Sequence, residues 1–435
     1  MHQVVVSMEN DNLNMHILLI HQYFLEDNAG GGSRWNEMAR IWAEEGHAVT
    51  VIAGDIHYMH ETGAGVRRER FAVGVNGDGV TVIRCKLPRN YHIGLRGRYW
   101  GYVFFAMAAV YAGLRRAVSV YDCIIATSPP LFAGIPGLIL SKWKRIPFVF
   151  EIRDLWPESA VEMGIVKNRM LIRLAVLFEK YLYRTAARII VLTPAFREKL
   201  ILTKGVEREK IVLIPNAADF RWSEQALASS APVALRAKLG LEKKFVIIYV
   251  GAHGLANDLI QLLHAAALLR DTDAHFLMVG DGMQKQMLMD KVAALGLHNV
   301  SFLDPVPKEE IFHYIIMADA GVAVLKKAEV FKTIYSNKTF DYLSCKKPVL
   351  MAIDGISRIL IEQAAAGLFA EPGNAANFAD KVRVYMNDRA LLRKHGENGY
   401  DFVRRNFDRG VLAKDLLKGL QKMRVSNCKT DRFVS

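Results

Sequence analysis

Two residues one helical turn apart, Lys338 and Asp341, could grip different parts of one ligand: an ammonium suits a phosphate, and a carboxylate suits a pair of ribose hydroxyls. They follow Ser336 and Asn337, either of which can start a helix, so both side chains would leave that helix close to its beginning. Upstream, Gly251-Ala-His253-Gly254-Leu-Ala-Asn257 follows one apolar run and Gly280-Asp-Gly282 another. Glycines in such turns let backbone N–H groups approach an anion, and a helix starting behind the first turn would add its dipole. Together these segments outline a pocket for a nucleoside diphosphate, with His253, Gly254, Asn257, Gly280, Gly282, Lys338 and Asp341 as its contacts. Taken singly, each also has a plain reading as a connecting turn or a solvated ion pair.

A second set of candidates lies nearer the amino terminus. His21-Gln-Tyr-Phe leads to Gly30-Gly31-Gly32-Ser33-Arg34, where Gly31 and Gly32 could present backbone to a ligand and Ser33 could cap a helix. The G-x-G-x-x-G spacing is absent, which counts against a dinucleotide cofactor. Glu151-Ile-Arg153-Asp154 closes an apolar run, where ionised groups are costly unless paired or bound. Arg153 and Asp154 therefore join Lys338 as candidate catalytic residues, against an internal ion pair of Arg153 with Asp154 or Glu158. No His or Cys cluster has ligand spacing, so no metal is expected.

Positioning these groups requires a scaffold, and the periodicity supplies one. Short β-branched runs at residues 16–20, 48–53, 80–84, 122–127, 147–152 and 188–192 alternate with helical patterns, and the alternation restarts at 245–250, 275–279, 300–303, 320–325, 348–352 and 368–370. That predicts an α/β protein of two Rossmann-like domains. Ligands in such sheets lie beyond the carboxyl ends of the strands, so two facing sheets would hold two substrates across a cleft. The break is expected within residues 215–243, where turn-forming residues interrupt the pattern. The expected divisions are a loose extension at 1–14, domains at 15–215 and 216–400, and residues 401–435, whose amphipathic helix from about Tyr400 to Met423 returns to the first domain.

With 51% hydrophobic and 23% charged residues over 435 positions, the chain reads as globular and multidomain. Lys and Arg outnumber Asp and Glu by 57 to 44, giving +13 and favouring polyanionic partners. No basic-aromatic interleaving or recognised reading module supports nucleic acid as that partner. Four cysteines without Cys-x-x-Cys spacing fit a reducing cytoplasm, and residues 1–14 do not read as a secretory signal. The uncharged stretch 99–114 is flanked by Arg96, Arg98, Arg115 and Arg116. As a helix it would reach only about 24 Å, short of the ~30 Å hydrocarbon core, so it reads as an interfacial helix or a core helix. In the first case Lys86, Arg89, Arg96 and Arg98 would face anionic lipid or an acceptor's diphosphate.

Added to these segments, Ser128-Pro-Pro130, the string Arg153-Asp-Leu-Trp-Pro-Glu-Ser159, Pro215-Asn216 and the segment Lys338 to Tyr342 complete a pattern. From Met15 to about residue 420 the chain resembles the retaining GT-B glycosyltransferases of family 4, in particular bacterial O-antigen and exopolysaccharide enzymes of the fucosamine-transferase type. The resemblance implies a GT-B fold, donor nucleotide in the second domain, and Asp341 on the ribose in place of the usual Glu. It further implies a nucleotide-sugar donor, UDP-linked, no tightly bound cofactor, and a polyprenyl-diphosphate-linked or other lipid-linked acceptor. Such enzymes work at the inner face of the cytoplasmic membrane, in O-antigen, capsule or exopolysaccharide synthesis. Three departures stand out: Thr333 occupies the place of a paired acid, Arg153 that of a frequent His, and the 251–257 turn lacks the usual phosphate-binding Arg and Lys. Two alternatives accompany the resemblance, a nucleotide-sugar 2-epimerase of the same fold and an inactive scaffold paralogue.

Overall fold

The alternating apolar runs become strands covered on both faces by helices in the computed structural model of the protein. It describes residues 14–27, 29, 31, 34–55, 69–88, 94–162, 166 and 168–431, with backbone alone at 94–96, 98 and 425–431. The first lobe runs β1 (His16–Ile20), α1 (Arg34–Glu44), β2 (Ala48–Gly54), β3 (Phe71–Val75), β4 (Thr81–Cys85), α2 (Gly94–Arg115) and β5 (Cys123–Ser128). It continues through α3 (Gly134–Lys144), β6 (Phe148–Ile152), α4 (Glu158–Glu162), α5 (Arg169–Thr185), β7 (Arg188–Val191), α6 (Pro194–Lys204) and β8 (Ile211–Leu213). The second lobe runs α7 (Phe220–Leu227), α8 (Ala231–Lys238), β9 (Phe245–Val250), α9 (Ile260–Leu268), β10 (Ala274–Val279), α10 (Lys285–Ala294), β11 (Val300–Leu303), α11 (Lys308–Met317) and β12 (Ala320–Val324). It ends with α12 (Asn337–Ser344), β13 (Val349–Ala352), α13 (Ile356–Gln363), β14 (Gly367–Phe369), α14 (Ala375–Asn387) and α15 (Arg389–Asn406), before α16 (Arg409–Asp431).

The first sheet has the order β3-β4-β2-β1-β5-β6-β7-β8 and the second β11-β10-β9-β12-β13-β14. All pairings are parallel except β3 with β4. Strand order reverses beside β1 and again beside β9, and at such reversals the adjacent loops part to leave a crevice at the carboxyl edge. Strands such as β5, β6, β10 and β12 are buried along their whole length because helices cover both faces, which is why they read as continuous apolar runs.

Three expectations are corrected. The antiparallel β3, three of whose five residues are exposed, has too little apolar alternation to be seen in the sequence. The interval 215–243, where turn-forming residues were expected to interrupt the pattern, contains α7 and α8. The expected single helix from Tyr400 to Met423 is two: α15 ends in the second lobe, and Phe407 and Asp408 carry the chain across before α16. Ala413, Leu416, Leu417, Leu420 and Met423 of α16 pack with Trp35, Met38 and Trp42 of α1 in one apolar cluster, and the Trp42 indole donates to the Ala413 carbonyl at 2.9 Å.

The chain thus crosses between lobes twice, and the crossings run side by side. Ala218 N–H donates to the Phe407 carbonyl and Arg409 N–H to the Ala218 carbonyl, each at 2.9 Å. Arg34 of α1 holds the first crossing through the Ile214 and Pro215 carbonyls, at 2.8 and 2.7 Å. Arg40 of α1 binds Asp219 at 2.9 Å, and Arg409 binds Glu37 of α1 at 2.9 Å.

The 99–114 stretch falls in α2, which buries Phe105, Ala109 and Ala112 in the core of the first lobe and exposes Trp100, Met107 and Tyr111. Among the described residues no helix is long and apolar enough to cross a membrane. Lys86 is exposed; Arg89 and the side chains of Arg96 and Arg98 lie outside the described residues.

Candidate active site

At the carboxyl edge of the second sheet, β9 and β10 end in register, with Val250 opposite Val279. The two following turns touch through main chain: Gly251 N–H donates to the Val279 carbonyl, His253 N–H to that of Asp281 at 2.8 Å, and Gln284 N–H to that of His253. A methyl group on Gly280 would stand 2.0 Å from the Gly251 oxygen, and one on Gly282 2.7 Å from the His253 oxygen. The side chains missing at Gly280 and Gly282 therefore leave room for the neighbouring turn, and both residues have the positive φ that favours glycine.

His253 lies beneath this double turn with no exposed surface, between the rings of Tyr249 and Phe302. Neither ring nitrogen has a hydrogen-bond partner among the described residues. Burial, with Lys285 nearby, pulls the imidazole down to about 4, so it is neutral. The expected ligand contact is thus a ring that fills the turn from below, its backbone remaining in the loop. Asn257 N–H closes a short 3₁₀ turn on the Gly254 carbonyl, and α9 begins only after Asp258. The helix expected directly behind Gly251 is therefore displaced by an intervening loop.

Lys338 does reach this corner. It belongs to the first turn of α12, whose preceding Ser336 is extended and makes no side-chain cap. A methyl on Gly251 would lie 3.5 Å from the Lys338 Nζ, so the lysine passes directly over that glycine. Its Nζ is 4.5 Å from the centre of the Tyr249 ring and 3.4 Å from the Tyr249 hydroxyl. Burial pulls the ammonium down to about 8, and no carboxylate pairs with it among the described residues.

Asp341 is engaged elsewhere. Both its oxygens accept from the Lys308 ammonium of α11 at 2.9 Å, and that ammonium stands 3.9 Å from Glu37 of the first lobe. Burial raises the Asp341 carboxyl; it would lower Lys308, but the Asp341 and Glu37 carboxylates outweigh it and hold that ammonium up. Lys308 and Glu37 carry no motif, and nothing in their spacing announces that they meet Asp341.

In the first lobe, Arg153 follows β6 with its N–H on the Ser128 carbonyl. Its half-buried guanidinium makes no hydrogen bond or ion pair among the described residues, so neither internal pair expected for it forms. Asp154 is raised by burial while hydrogen bonds from Ser159 and Leu155 oppose the rise, and Glu158 pairs with Lys204. The buried acid of this string, Glu151, is satisfied by Arg34 at 2.9 Å, the Trp35 indole at 2.6 Å and the Thr127 hydroxyl at 2.8 Å. Arg153 and Asp154 make no contact with Lys338 among the described residues. Gly31 has a φ of 146°, while Gly32 and Ser33 lie outside the described residues.

The segment leading into α12 is held by the first lobe. Glu162 accepts from the N–H groups of Glu329 and Val330 at 2.7 and 3.1 Å, the Thr193 hydroxyl donates to the Thr333 carbonyl at 2.8 Å, and Asn216 donates to the Tyr335 carbonyl at 3.2 Å. Thr333 turns its own hydroxyl onto the Val330 carbonyl. Beside this segment a cavity of about 600 Å³ is lined by Glu162 from the first lobe and by Phe331, Lys332 and Arg358 from the second. The string Asp271-Thr-Asp273, the one Asp-x-Asp in the chain, lies before β10 at the opposite sheet edge, where Asp273 pairs with Lys244. Among the described residues no three His, Cys, Asp or Glu side chains are grouped as metal ligands.

Comparisons with known proteins agree with this architecture. A family described as "Glycosyl transferase 4-like domain" matches residues 29–217, and one described as "Glycosyl transferases group 1" matches residues 234–402. WcaI of Escherichia coli (strain K12), named as a colanic acid biosynthesis glycosyl transferase, is 26% identical over 426 residues, covering 94% of this chain and 100% of its own. A 2-deoxystreptamine glucosyltransferase of Streptomyces kanamyceticus is 26% identical over 337 residues, covering 75% of this chain and 84% of its own. Sucrose-phosphate synthase from Thermosynechococcus elongatus superposes with a TM-score of 0.74 at 18% identity, over 95% of this chain and 100% of its own. Anabaena HepE in complex with UDP-glucose gives 0.69 at 19%, over 94% and 100%. At these identities the two structures speak to fold, which is the GT-B arrangement of two Rossmann-like domains. The chain belongs to the family 4 glycosyltransferases, a glycosyl transferase 4-like domain followed by a group 1 domain.

Proposed function

We propose that this glycosyltransferase moves a sugar from a UDP-sugar to a lipid-linked acceptor during assembly of a surface polysaccharide, with retention of anomeric configuration. The observation that carries the donor reading is Lys338, a half-buried ammonium that forms no ion pair among the described residues, lying over the Gly251 turn at the head of a helix without a side-chain cap. A diphosphate there would meet the ammonium, the turn's N–H groups and the first amides of α12 at once. As the glycosidic bond breaks, charge grows on that diphosphate, and fixed donors aimed at it favour the transition state over the ground state. Asp341, one turn along, takes the ribose hydroxyls by exchanging its contact with Lys308. The half-buried Arg153, which makes no ion pair among the described residues, follows β6 at the carboxyl edge of the first sheet and suits a second anionic group, the acceptor's own phosphate. A diphosphate oxygen on the departing face accepts the acceptor's proton, which is the source of retention, and the scheme has no step that calls on a metal.

The name of the Escherichia coli relative supports polysaccharide assembly, and the UDP-glucose held by the Anabaena neighbour supports the donor class. Cytoplasmic residence at the membrane follows from the lipid-linked acceptor. The test is direct binding of UDP, GDP and ADP, followed by transfer from the matching sugars to synthetic lipid-diphosphate acceptors. UDP binding that falls at least tenfold in Lys338→Met and in Asp341→Ala is expected. A folded protein that binds none of the three nucleotides refutes the reading, and turnover of nucleotide sugar without any acceptor would make it an epimerase.

A further inference from the structure

The first lobe carries a row of large apolar side chains that lie about half or more open to solvent. Along α5 they are Met170, Leu174, Leu177 and Tyr181, with Leu171 beside them; Met170 is 69% exposed and Leu177 64%. Spacings of four, three and four residues keep the row on one face of the helix. A different face carries Glu179, Leu182 and Tyr183 inward, and Leu182 packs so closely on Gly134 of α3 that a methyl there would meet it at 2.6 Å. The helix is therefore seated by its inner side, and the outer row stays largely open to solvent. Contiguous apolar surface of this kind marks a contact.

Charge identifies the contact. At about 100° per residue, Arg169, Arg173, Lys180 and Arg184 fall together along one edge of the apolar row. All four are exposed, and none makes an ion pair among the described residues. The one carboxylate of α5, Glu179, is buried, accepting from Lys204 at 2.7 Å and from the Tyr183 hydroxyl at 2.6 Å. On α3, Trp143 is 74% exposed and follows Lys142, whose ammonium lies 5.8 Å from the centre of the Tyr181 ring.

We propose that this face of α5, bordered by the end of α3, docks on a bilayer containing anionic lipid, with α5 lying in the headgroup plane. The apolar row enters the acyl boundary, the four cations meet lipid phosphates, and Trp143 and Tyr181 sit at headgroup depth. A second copy of this chain fits the face less well, since it brings four more cations and no carboxylate to meet them. The inference moves the membrane contact away from α2, and it rests on the lipid-acceptor reading only in the choice of a bilayer among anionic partners.

Co-sedimentation with phosphatidylcholine vesicles, with and without phosphatidylglycerol, tests it without any sugar substrate. The full chain is expected to bind the anionic vesicles, more weakly as salt rises. Leu174→Asp with Leu177→Asp, and separately Arg173→Glu with Lys180→Glu, should each weaken binding about tenfold or more. Both pairs are on the surface, so unchanged melting temperatures are expected, and the charge pair leaves the apolar row intact should the other variant fold poorly. Binding unaltered by both pairs overturns the proposal, as does equal binding to phosphatidylcholine alone. A dimer that the leucine pair converts to a monomer, with vesicle binding retained, also overturns it. UDP affinity measured on the same samples reports the nucleotide site alone, so failure of the transferase reading is separable from failure of this surface.

Discussion

Raising the pH from 7 to 9 should weaken UDP binding by about tenfold, through one side chain. Burial lowers Lys338 from 10.5 to about 8, so the free protein carries this charge at neutral pH and sheds it within the working range. With that value the ammonium is about nine-tenths protonated at pH 7 and about one-tenth at pH 9. A diphosphate seated against it favours the charged form and restores an ordinary lysine value. Binding therefore takes up close to one proton above pH 8, and the affinity falls in proportion to the protonated fraction of the free protein. The direction follows from the depressed value: full affinity below about 8, progressive loss above it. The same depression acts on folding with the opposite slope, because the unfolded chain still binds a proton between about 8 and 10.5 that the free folded protein has released. Stability of the unliganded protein attributable to this residue rises with pH over that window. Calorimetric titration of UDP into the wild type and Lys338→Met across pH 7 to 9 isolates the effect, since titration of the nucleotide itself is common to both. Uridine, which has no phosphate, should show no difference in slope between the two proteins. Parallel pH profiles for wild type and variant with UDP would refute the placement of Lys338 on the diphosphate.

Two substitutions test the scaffold beneath the site. Gly280→Ala drives a methyl to 2.0 Å from the Gly251 oxygen at a positive φ, which should cost roughly 3 kcal/mol and lower the melting temperature together with UDP affinity; an unshifted melt would mean the two turns are not packed main chain to main chain. Arg34→Leu removes a buried partner of Glu151 and two donors to crossover carbonyls, and chemical denaturation should show a loss of about 3–5 kcal/mol.

What the sequence disclosed was what local pattern can carry. Continuous apolar runs show as buried parallel strands, and glycine after a strand shows as a tight turn, so both sheets and the corner containing Gly251, Gly280 and Lys338 could be read directly. The partner of Asp341 could not be read. Lys308 lies 33 positions away on another helix, and Glu37 belongs to the other lobe, so only the folded chain brings the three charges together. For His253 the turn motif specifies the backbone path but not whether the ring points to ligand or to core. Glu151, Arg153 and Asp154 looked equivalent as charges closing one strand, yet Glu151 lies within β6 and is met by Arg34, while Arg153 follows the end of the strand and makes no ion pair among the described residues. The exposed stripe of α5 was legible in spacing, since its period is helical, but exposure was not, because an amphipathic pattern does not say which apolar side faces the protein.

The charges on α1 belong to this last class, and their physical purpose follows from the crossovers. Between β8 and α7, and between α15 and α16, the chain leaves one sheet's surroundings before entering the other's, and the bridge it forms there, between Ala218 and Asp408, lies outside the strands of both sheets. The carbonyls of Ile214, Pro215 and Ala217 are nevertheless close to the interior, and each accepts from a guanidinium, Arg34 for the first two and Arg409 for the third. An apolar α1 would pack as well against β1, but it would leave those carbonyls without donors at about 1–3 kcal/mol each. Buried guanidinium groups need carboxylates in turn, which is the place of Glu151 for Arg34 and of Glu37 for Arg409. Arg34, which closes a glycine loop and so looks like part of a ligand-binding turn, is held by three acceptors within the protein and has its guanidinium committed to the hinge. Glu37, by contrast, has one side on Arg409 and the other toward Lys308, so the helix that fixes both crossovers also borders the carboxylate proposed to hold the ribose.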